Sequence, residues 1–418
     1  MFRFVHTADL HLDAPLRSLA LRDEALSDLV GAATRRALRQ IVDTCLDEEV
    51  QALLIAGDLY DRDLQSMKTA AFLGAQMERL NEAAIAVFII RGNHDAESVI
   101  TRTLELPPNV HVFGAKGGTI RLQEHRVAIH GVSYGAPQAP QSLLAKYPAP
   151  LAGWYNIGLL HTSLAGAEGH DTYAPCTVAD LANHGYDYWA LGHIHKRQVH
   201  RQTPHIVMPG MPQGRDIGEE GAKSVTLVTV DEGAVTLEER PSAQVEFHRL
   251  SCALDGVEDW REMLARISAT LRAHGASSSQ SAIVRLELRG HTSLAWRVVR
   301  DFDLLRAQVG EAAAAIGTIW VEKIVSNLRQ PEAETPGPAQ EDPRHELRAI
   351  MQGLASEAAS KALAREHVSW LVSQLPPEIR ASFGEDEAGL AETVEGLLQE
   401  GCAEVAALMM GDSVRGAP

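Results

Sequence analysis

Hydrophobic and polar positions follow a repeating order along the first 95 residues: an apolar run, a polar loop, then apolar residues recurring every three or four positions. Residues 2–5, 53–56 and 85–90 have the length and β-branched content of buried strands. Between them, Leu26, Leu29, Val30, Ala33, Leu38, Ile41, Val42 and Cys45 make one apolar face and predict a helix over 26–46. Met67, Ala70, Ala71, Leu73, Met77 and Leu80 do the same for 66–80. A strand-helix-strand-helix-strand unit of this kind predicts a parallel sheet with right-handed crossovers. Further on the pattern shortens. Runs at 110–113, 119–122 and 127–130 are separated by turn residues and read as a meander attached to the first sheet. Strands at 157–160, 186–191 and 206–208, a helix over 178–183, and a hairpin of 223–230 with 234–239 close a domain near residue 240.

Strands at 245–250, 282–289 and 318–324 with a helix over 257–274 predict a compact α/β module. The Pro-rich run 330–339 is a linker. Helical periodicity then resumes over 346–359, 362–375 and 387–410, where Leu390, Val394, Leu397, Leu398, Val405, Leu408 and Met409 form an apolar stripe. That stripe fits either packing on neighbouring helices or docking of a partner. The predicted partition is thus 1–240, 241–329, a linker at 330–343 and a helical tail at 344–418.

Composition adds limits. The formal net charge is -17, but residues 331–418 hold 16 Asp and Glu against 6 Lys and Arg, so most of the acidity lies in the tail. No dense basic arm is present, and nucleic-acid binding would depend on the active site or on a partner. Cys45, Cys176, Cys252 and Cys402 are widely spaced and form no Cys-x-x-Cys pair, which argues against a disulfide scaffold and a structural zinc site. No apolar run approaches the roughly 20 residues that span a bilayer, and His6, Asp9, His11 and Asp13 interrupt any signal peptide, so a cytoplasmic protein without membrane attachment is the expectation.

Five of the apolar runs end in metal-competent side chains. Asp9 and His11 follow the first, Asp58 the second, Asn93, His94 and Asp95 the third, His161 the fourth, and His193 with His195 the fifth. An isolated Asp at a strand end more commonly caps a turn, and an isolated His is more commonly a hydrogen-bonded core or surface residue. Their joint placement is harder to assign to chance. Asp9, His11, Asp58, Asn93, His161, His193 and His195 combine hard oxygen donors with imidazoles, a mixture suited to Mn²⁺, Fe²⁺ or Zn²⁺. Seven donors exceed the need of one metal with an open position, whereas two metals roughly 3.5–4 Å apart that share a carboxylate fit the count. Asp58 is the natural bridge, since its strand lies between those of Asp9 and Asn93.

In this order Asp-x-His, Gly-Asp, Gly-Asn-His-Asp, His and Gly-His-x-His resemble the calcineurin-like metallophosphoesterases over about residues 1–240. The wording Thr7-Ala8-Asp9-Leu10-His11-Leu12-Asp13, Asn156-Ile157-Gly158-Leu159-Leu160-His161, Pro209-Gly210 and Gln213-Gly214-Arg215 is similar to the DNA repair exonuclease branch related to SbcD and Mre11, particularly its YhaO-like members. The resemblance implies an α/β fold with a mixed β-sandwich core flanked by helices, the module at 241–329 acting as a capping domain. It implies that Asp9, His11, Asp58 and His195 hold one metal, that Asp58, Asn93, His161 and His193 hold the second, and that His94 stands beside the scissile phosphate as the catalytic residue. It further implies Mn²⁺, two-metal activation of water, DNA as the substrate of an exonuclease with endonuclease activity left open, and a Rad50-like coiled-coil ATPase that docks on the helical tail; a homodimer is also left open. The Asp61-Arg62 step is shared with protein phosphatases of the superfamily and keeps open a phosphatase or cyclic nucleotide phosphodiesterase, while a non-catalytic binding subunit is the third reading. Asp13, Tyr60, Asp61, His130, His170 and Arg215 are further candidates for orienting a ligand or phosphate, and Asp95 for supporting a turn.

Overall fold

The computed structural model describes residues 1–14, 30–60, 66–95, 106–136, 138–164, 173–277, 280–331, 343–375, 380, 383–384 and 386–411. It divides into two compact units, the first comprising Met1–Arg249, Ser277–Arg285 and Thr318–Glu322, the second Leu250–Ala276, Leu286–Gly317 and Lys323–Pro418.

The first unit opens with β1 (Phe2–Thr7), α1 (Ala33–Asp47), β2 (Ala52–Ala56), α2 (Met67–Glu82) and β3 (Ala86–Ile90). The three strands pair in parallel, with Val5 opposite Leu53 and Leu53 opposite Val87. Successive side chains point to opposite faces. Val5, Leu53, Ile55, Val87 and Ile89 pack beneath α1 and α2 with Leu38, Ile41, Leu73 and Met77, while Phe4, Leu54 and Phe88 face the other way. Burial on both faces explains why these strands read as unbroken apolar runs rather than alternating ones. Leu26 and Leu29, the start of the predicted first helix, lie outside the described residues.

β4 (Val110–Val112) pairs in parallel with β3. The predicted meander does not continue on this sheet. β5 (Gly118–Leu122), β6 (Val127–Gly131), β7 (Tyr155–His161), α3 (Val178–Asn183), β8 (Tyr188–Gly192), β9 (Gln198–Gln202) and β10 (His205–Met208) follow, and their strands form a second sheet in the order β5-β6-β7-β8-β10-β9. The physical reason is the inner face of the first sheet. Phe4, Leu54 and Phe88 need cover, and Ile129, Ile157, Leu159, Tyr188, Ala190 and Val207 supply it. β11 (Ser224–Asp231) and β12 (Ala234–Pro241) return as an antiparallel hairpin beside β1, completing the order β12-β11-β1-β2-β3-β4. The result is a mixed β-sandwich flanked by helices.

The remaining elements are β13 (Val245–Ala253), α4 (Trp260–Ser277), β14 (Ser281–His291), α5 (Ala295–Arg300), α6 (Phe302–Ala314), β15 (Ile319–Arg329), α7 (Pro343–Ser356), α8 (Ala358–Gln374) and α9 (Glu387–Gly411). β13, β14 and β15 pair in that order. Within the second unit, Trp260 donates from its indole to Gln308 Oε1 at 2.9 Å and stacks under Arg297, which joins α4, α5 and α6. α9 packs against α5, α7 and α8. Its predicted stripe divides: Val394 is buried and Leu390 and Leu398 half-buried, whereas Leu397, Val405, Leu408 and Met409 are exposed; Ala407, outside the stripe, is buried. Among the described residues no helix is long and apolar enough to cross a membrane.

Candidate metal centre

Parallel pairing of β1, β2 and β3, and of β7 and β8, lines up their carboxyl ends, so residues just past those ends converge. The loops run side by side: Asp9 N–H donates to Gly57 O and His11 N–H to Asp58 O, both at 3.0 Å. Asp9, His11, Asp58 and His193 all take positive φ, at 53°, 41°, 51° and 100°. Such backbone costs on the order of 1–3 kcal/mol per non-glycine residue and persists only where its surroundings impose it. Two glycines permit the closeness. A Cβ on Gly92 would lie 2.2 Å from Asp58 Oδ1, and one on Gly192 would lie 2.0 Å from Ala56 O.

All seven predicted donors meet here. Asp9, His11, Asp58, Asn93 and His161 are buried, and His193 and His195 are half-buried. His161 donates from Nδ1 to Ala56 O at 2.9 Å, which turns Nε2 toward Asn93 Oδ1 at 3.0 Å, His193 Nδ1 at 3.3 Å and Asp58 Oδ2 at 3.4 Å. On the other side of Asp58, His11 Nε2 lies 3.3 Å from His195 Nε2 and 3.9 Å from Asp58 Oδ2. Three sets of ligand atoms each fall within 4.8 Å of one another: Asp9, His11 and His195; His11, Asp58 and His94; Asp58, His161 and His193.

The donor chemistry fits divalent cations. Imidazole nitrogens about 2.0–2.1 Å from a common metal stand close to the separation seen in the His11–His195 and His161–His193 pairs. Electrostatics point the same way. Burial pushes the His11 imidazole well below its ordinary range and raises the Asp9 carboxyl to about 6. Burial also opposes charge on Asp58 and His161, yet their mutual attraction wins: Asp58 is held low by His161, His11 and His94, and His161 is driven up to about 9 by Asp58 and Asp9. Two groups of donor atoms, one on each side of Asp58, are consistent with a dimetal cofactor.

The family model for calcineurin-like phosphoesterases matches residues 2–197, and the model for the middle domain of metallophosphoesterase YhaO matches residues 247–329. The uncharacterized metallophosphoesterase YhaO of Bacillus subtilis (strain 168) is 36% identical over 295 residues, spanning 69% of this chain and 71% of that protein. The chain belongs to the YhaO-like calcineurin-type metallophosphoesterases. The DNA double-strand break repair protein Mre11 of Methanopyrus kandleri is 26% identical over 366 residues, covering 77% of this chain and 75% of that protein. Mre11 of Sulfurisphaera tokodaii is 25% identical over 204 residues, covering 47% of this chain and 50% of that protein.

Around this metallophosphoesterase centre lies a supporting layer. His94 donates its backbone N–H to Asp58 Oδ1 at 3.0 Å, and its ring stands 4.8 Å from that of His11, edge to face. Asp95 accepts from the backbone of Leu59 at 2.9 Å, Tyr60 at 3.0 Å and Gly92 at 3.1 Å, clamping the third loop to the second. Burial raises the Asp95 carboxyl to about 6, and those backbone donors oppose the rise. Arg215 joins the centre through Glu219, a residue that spacing and motif do not single out. His195 donates from Nδ1 to Glu219 Oε1 at 2.6 Å, and Arg215 Nη2 donates to the same oxygen at 2.8 Å. Although burial pushes it up, Glu219 is held well below the usual carboxylate range by His195 and Arg215. A carboxylate in this position fixes the tautomer and leaves Nε2 facing the metal positions. The Tyr134 hydroxyl likewise donates to His161 O at 2.9 Å, and the Tyr173 ring stands 5.1 Å from that of His193. Asp13 pairs with Arg35, and Tyr60 is buried beside Asp95. His130 is not brought to the centre: it lies in β6, bonded to Thr119 and Asn156. Asp61 and His170 lie outside the described residues.

Proposed function

We propose that the chain is a metal-dependent DNA phosphodiesterase, an exonuclease of the DNA repair kind, working with Mn²⁺. Asp9, His11, Asp58 and His195 hold one cation in this reading, and Asp58, Asn93, His161 and His193 hold the other. The observation that carries it is the placing of one close imidazole pair on each side of a single buried carboxylate. DNA as the substrate is supported by the likeness to the double-strand break repair proteins of Methanopyrus and Sulfurisphaera.

Bound there, two divalent cations supply charge that offsets the phosphodiester and acidify a water molecule. The chain's own residues do the rest. His94, half-buried and edge-on to His11, orients the phosphate and moves a proton at its ring nitrogen. Asp9 receives the His193 backbone N–H at 3.0 Å, which ties the first and fifth strand ends together. Residues 1–240 are the nuclease domain in this reading, 241–329 a capping module, 330–343 a linker and 344–418 the docking region for a Rad50-like coiled-coil ATPase in the cytoplasm.

Assay of the purified protein with Mn²⁺ on linear duplex, single-stranded DNA and p-nitrophenyl phosphate tests the proposal. Nucleotide release that chelation stops and Mn²⁺ restores is expected. Activity confined to p-nitrophenyl phosphate would replace the nuclease with a phosphatase.

A further inference from the structure

We infer that the exposed face shared by α1 and α2 is a contact surface for the sugar-phosphate backbone of the substrate. The inference rests on the DNA reading above and adds where the nucleic acid lies. Residues 30–42 and 66–77 carry Arg35, Arg36, Arg39 and Lys68 and no carboxylate, in a chain of 55 acidic and 38 basic residues. Arg36, Arg39 and Lys68 are exposed, and among the described residues none has a carboxylate partner. Neither helix has an acid in its first turn, where the helix dipole favours one. Positive charge is therefore kept on the N-terminal half of this face against the trend of the chain, and beyond it Asp43 is paired with Arg79 at 2.6 Å.

An aromatic ring sits among these cations. The guanidinium carbons of Arg35 and Arg39 lie 5.5 and 5.9 Å from the centroid of the half-buried Phe72 ring. Arg35 and Arg39 are four residues apart on α1, and so are Lys68 and Phe72 on α2, so each pair shares one helix face. Guanidinium groups held over a ring beside free cations suit phosphates and the bases or sugars between them.

The face adjoins the metal centre through Asp13, two residues beyond His11. Arg35 donates to the Asp13 carboxylate from Nε at 2.7 Å and Nη2 at 2.5 Å, and the Thr69 hydroxyl donates to it as well. The Asp13 N–H in turn donates to Thr34 Oγ1 at 3.1 Å. One carboxylate beside a metal-binding loop thus fastens both helices, and Arg36, Arg39 and Lys68 are left to meet phosphates.

The test combines Arg36→Ala, Arg39→Ala and Lys68→Ala in the full chain and reads anisotropy of a fluorescein-labelled linear duplex at several salt concentrations. We expect duplex affinity to fall about tenfold or more at physiological salt, and the slope of log affinity against log salt to shrink by about 2–3, near 0.9 for each phosphate that is no longer neutralised. Hydrolysis of bis(p-nitrophenyl) phosphate should be unchanged, and Arg36→Lys with Arg39→Lys should keep the slope. Unchanged affinity and slope would overturn this surface while leaving the nuclease reading intact. Equal losses on DNA and on the small diester would mark a structural role and overturn it as well. A parent protein that cleaves the small diester but neither binds nor cuts DNA would overturn the reading beneath it, and the surface with it.

Discussion

The metal centre and the helical tail carry their key side chains in opposite ways. Around Asp58 the donors are mostly buried, Asp9, His11, Asp58 and His193 have positive φ, and His161 and His195 are fixed from behind by Ala56 O and Glu219. In α8 and α9 the apolar side chains Leu363, Trp370, Leu371, Leu397, Val405 and Leu408 remain exposed, Trp370 by 66%. The first region is complete in the folded chain, because donors must be in place before a cation or phosphate arrives. Among the described residues of the tail only Val394 and Ala407 are buried, and an apolar surface left exposed in this way is what the proposed docking region would offer a partner. Chemistry requires a site that folding finishes, whereas docking requires one that folding leaves open.

The largest effect should come from the residue most tightly built into the finished region. Asp58→Ala removes the carboxylate that both metal positions are proposed to share, so calorimetric titration with Mn²⁺ should find neither position near the parent affinity. Phosphoesterase activity should fall by more than the ~10²-fold typical of supporting residues. One intact position in that variant would mean that Asp58 is not the bridge. His94→Asn comes next. Its ring belongs to the same cluster, yet the expected outcome is two bound metals and a rate lower by roughly 10²- to 10⁴-fold, as for loss of a proton-transfer group. Metal analysis after dialysis separates the roles, since a variant that loses metal along with activity would make His94 a ligand.

The same contrast governs what could be read in the sequence. Asp9, Asp58, Asn93, His161 and His193 were legible because each follows an apolar run long enough to be a buried strand, and parallel strands bring such ends together. Glu219 was not, because its partner His195 lies 24 residues upstream and the two meet only after β9 and β10 have turned back. The second sheet escaped for a related reason. The runs of β5 and β6 show that strands form but not which sheet they cover, and β9, Gln198–Gln202, is an exposed edge strand without apolar alternation. In the tail, periodicity revealed the α9 stripe but not its division, which depends on where along it α5, α7 and α8 pack.

Glu219→Gln should have a smaller effect than either change at the centre. It keeps the shape and one acceptor but removes the charge that His195 and Arg215 share, so affinity for the metal held by His195 should weaken by about 10- to 100-fold. The position held by His161 and His193 should keep its affinity. Loss at both positions alike would show that Glu219 stabilises the whole centre rather than orienting one imidazole.

The smallest effect on the protein itself should come from the open region, and there buried and exposed positions along one helix stripe can be set against each other. Val394→Ala removes buried methyl groups from the α9 packing and should cost about 1–3 kcal/mol, seen as a lower Tm for the second unit. Leu397→Ser, Val405→Ser and Leu408→Ser alter side chains that are 45%, 44% and 52% exposed, and surface changes of this sort usually stay within about 0.5 kcal/mol each. Stability and metal content should therefore be unchanged in the triple variant. On the proposed function, co-purification with a Rad50-like ATPase should disappear, because this face is where that partner is proposed to dock. If the triple variant melts as early as Val394→Ala, the face is covered by the chain itself and the tail is not the open region that the comparison requires. If it is stable and still captures the ATPase, the docking surface lies elsewhere.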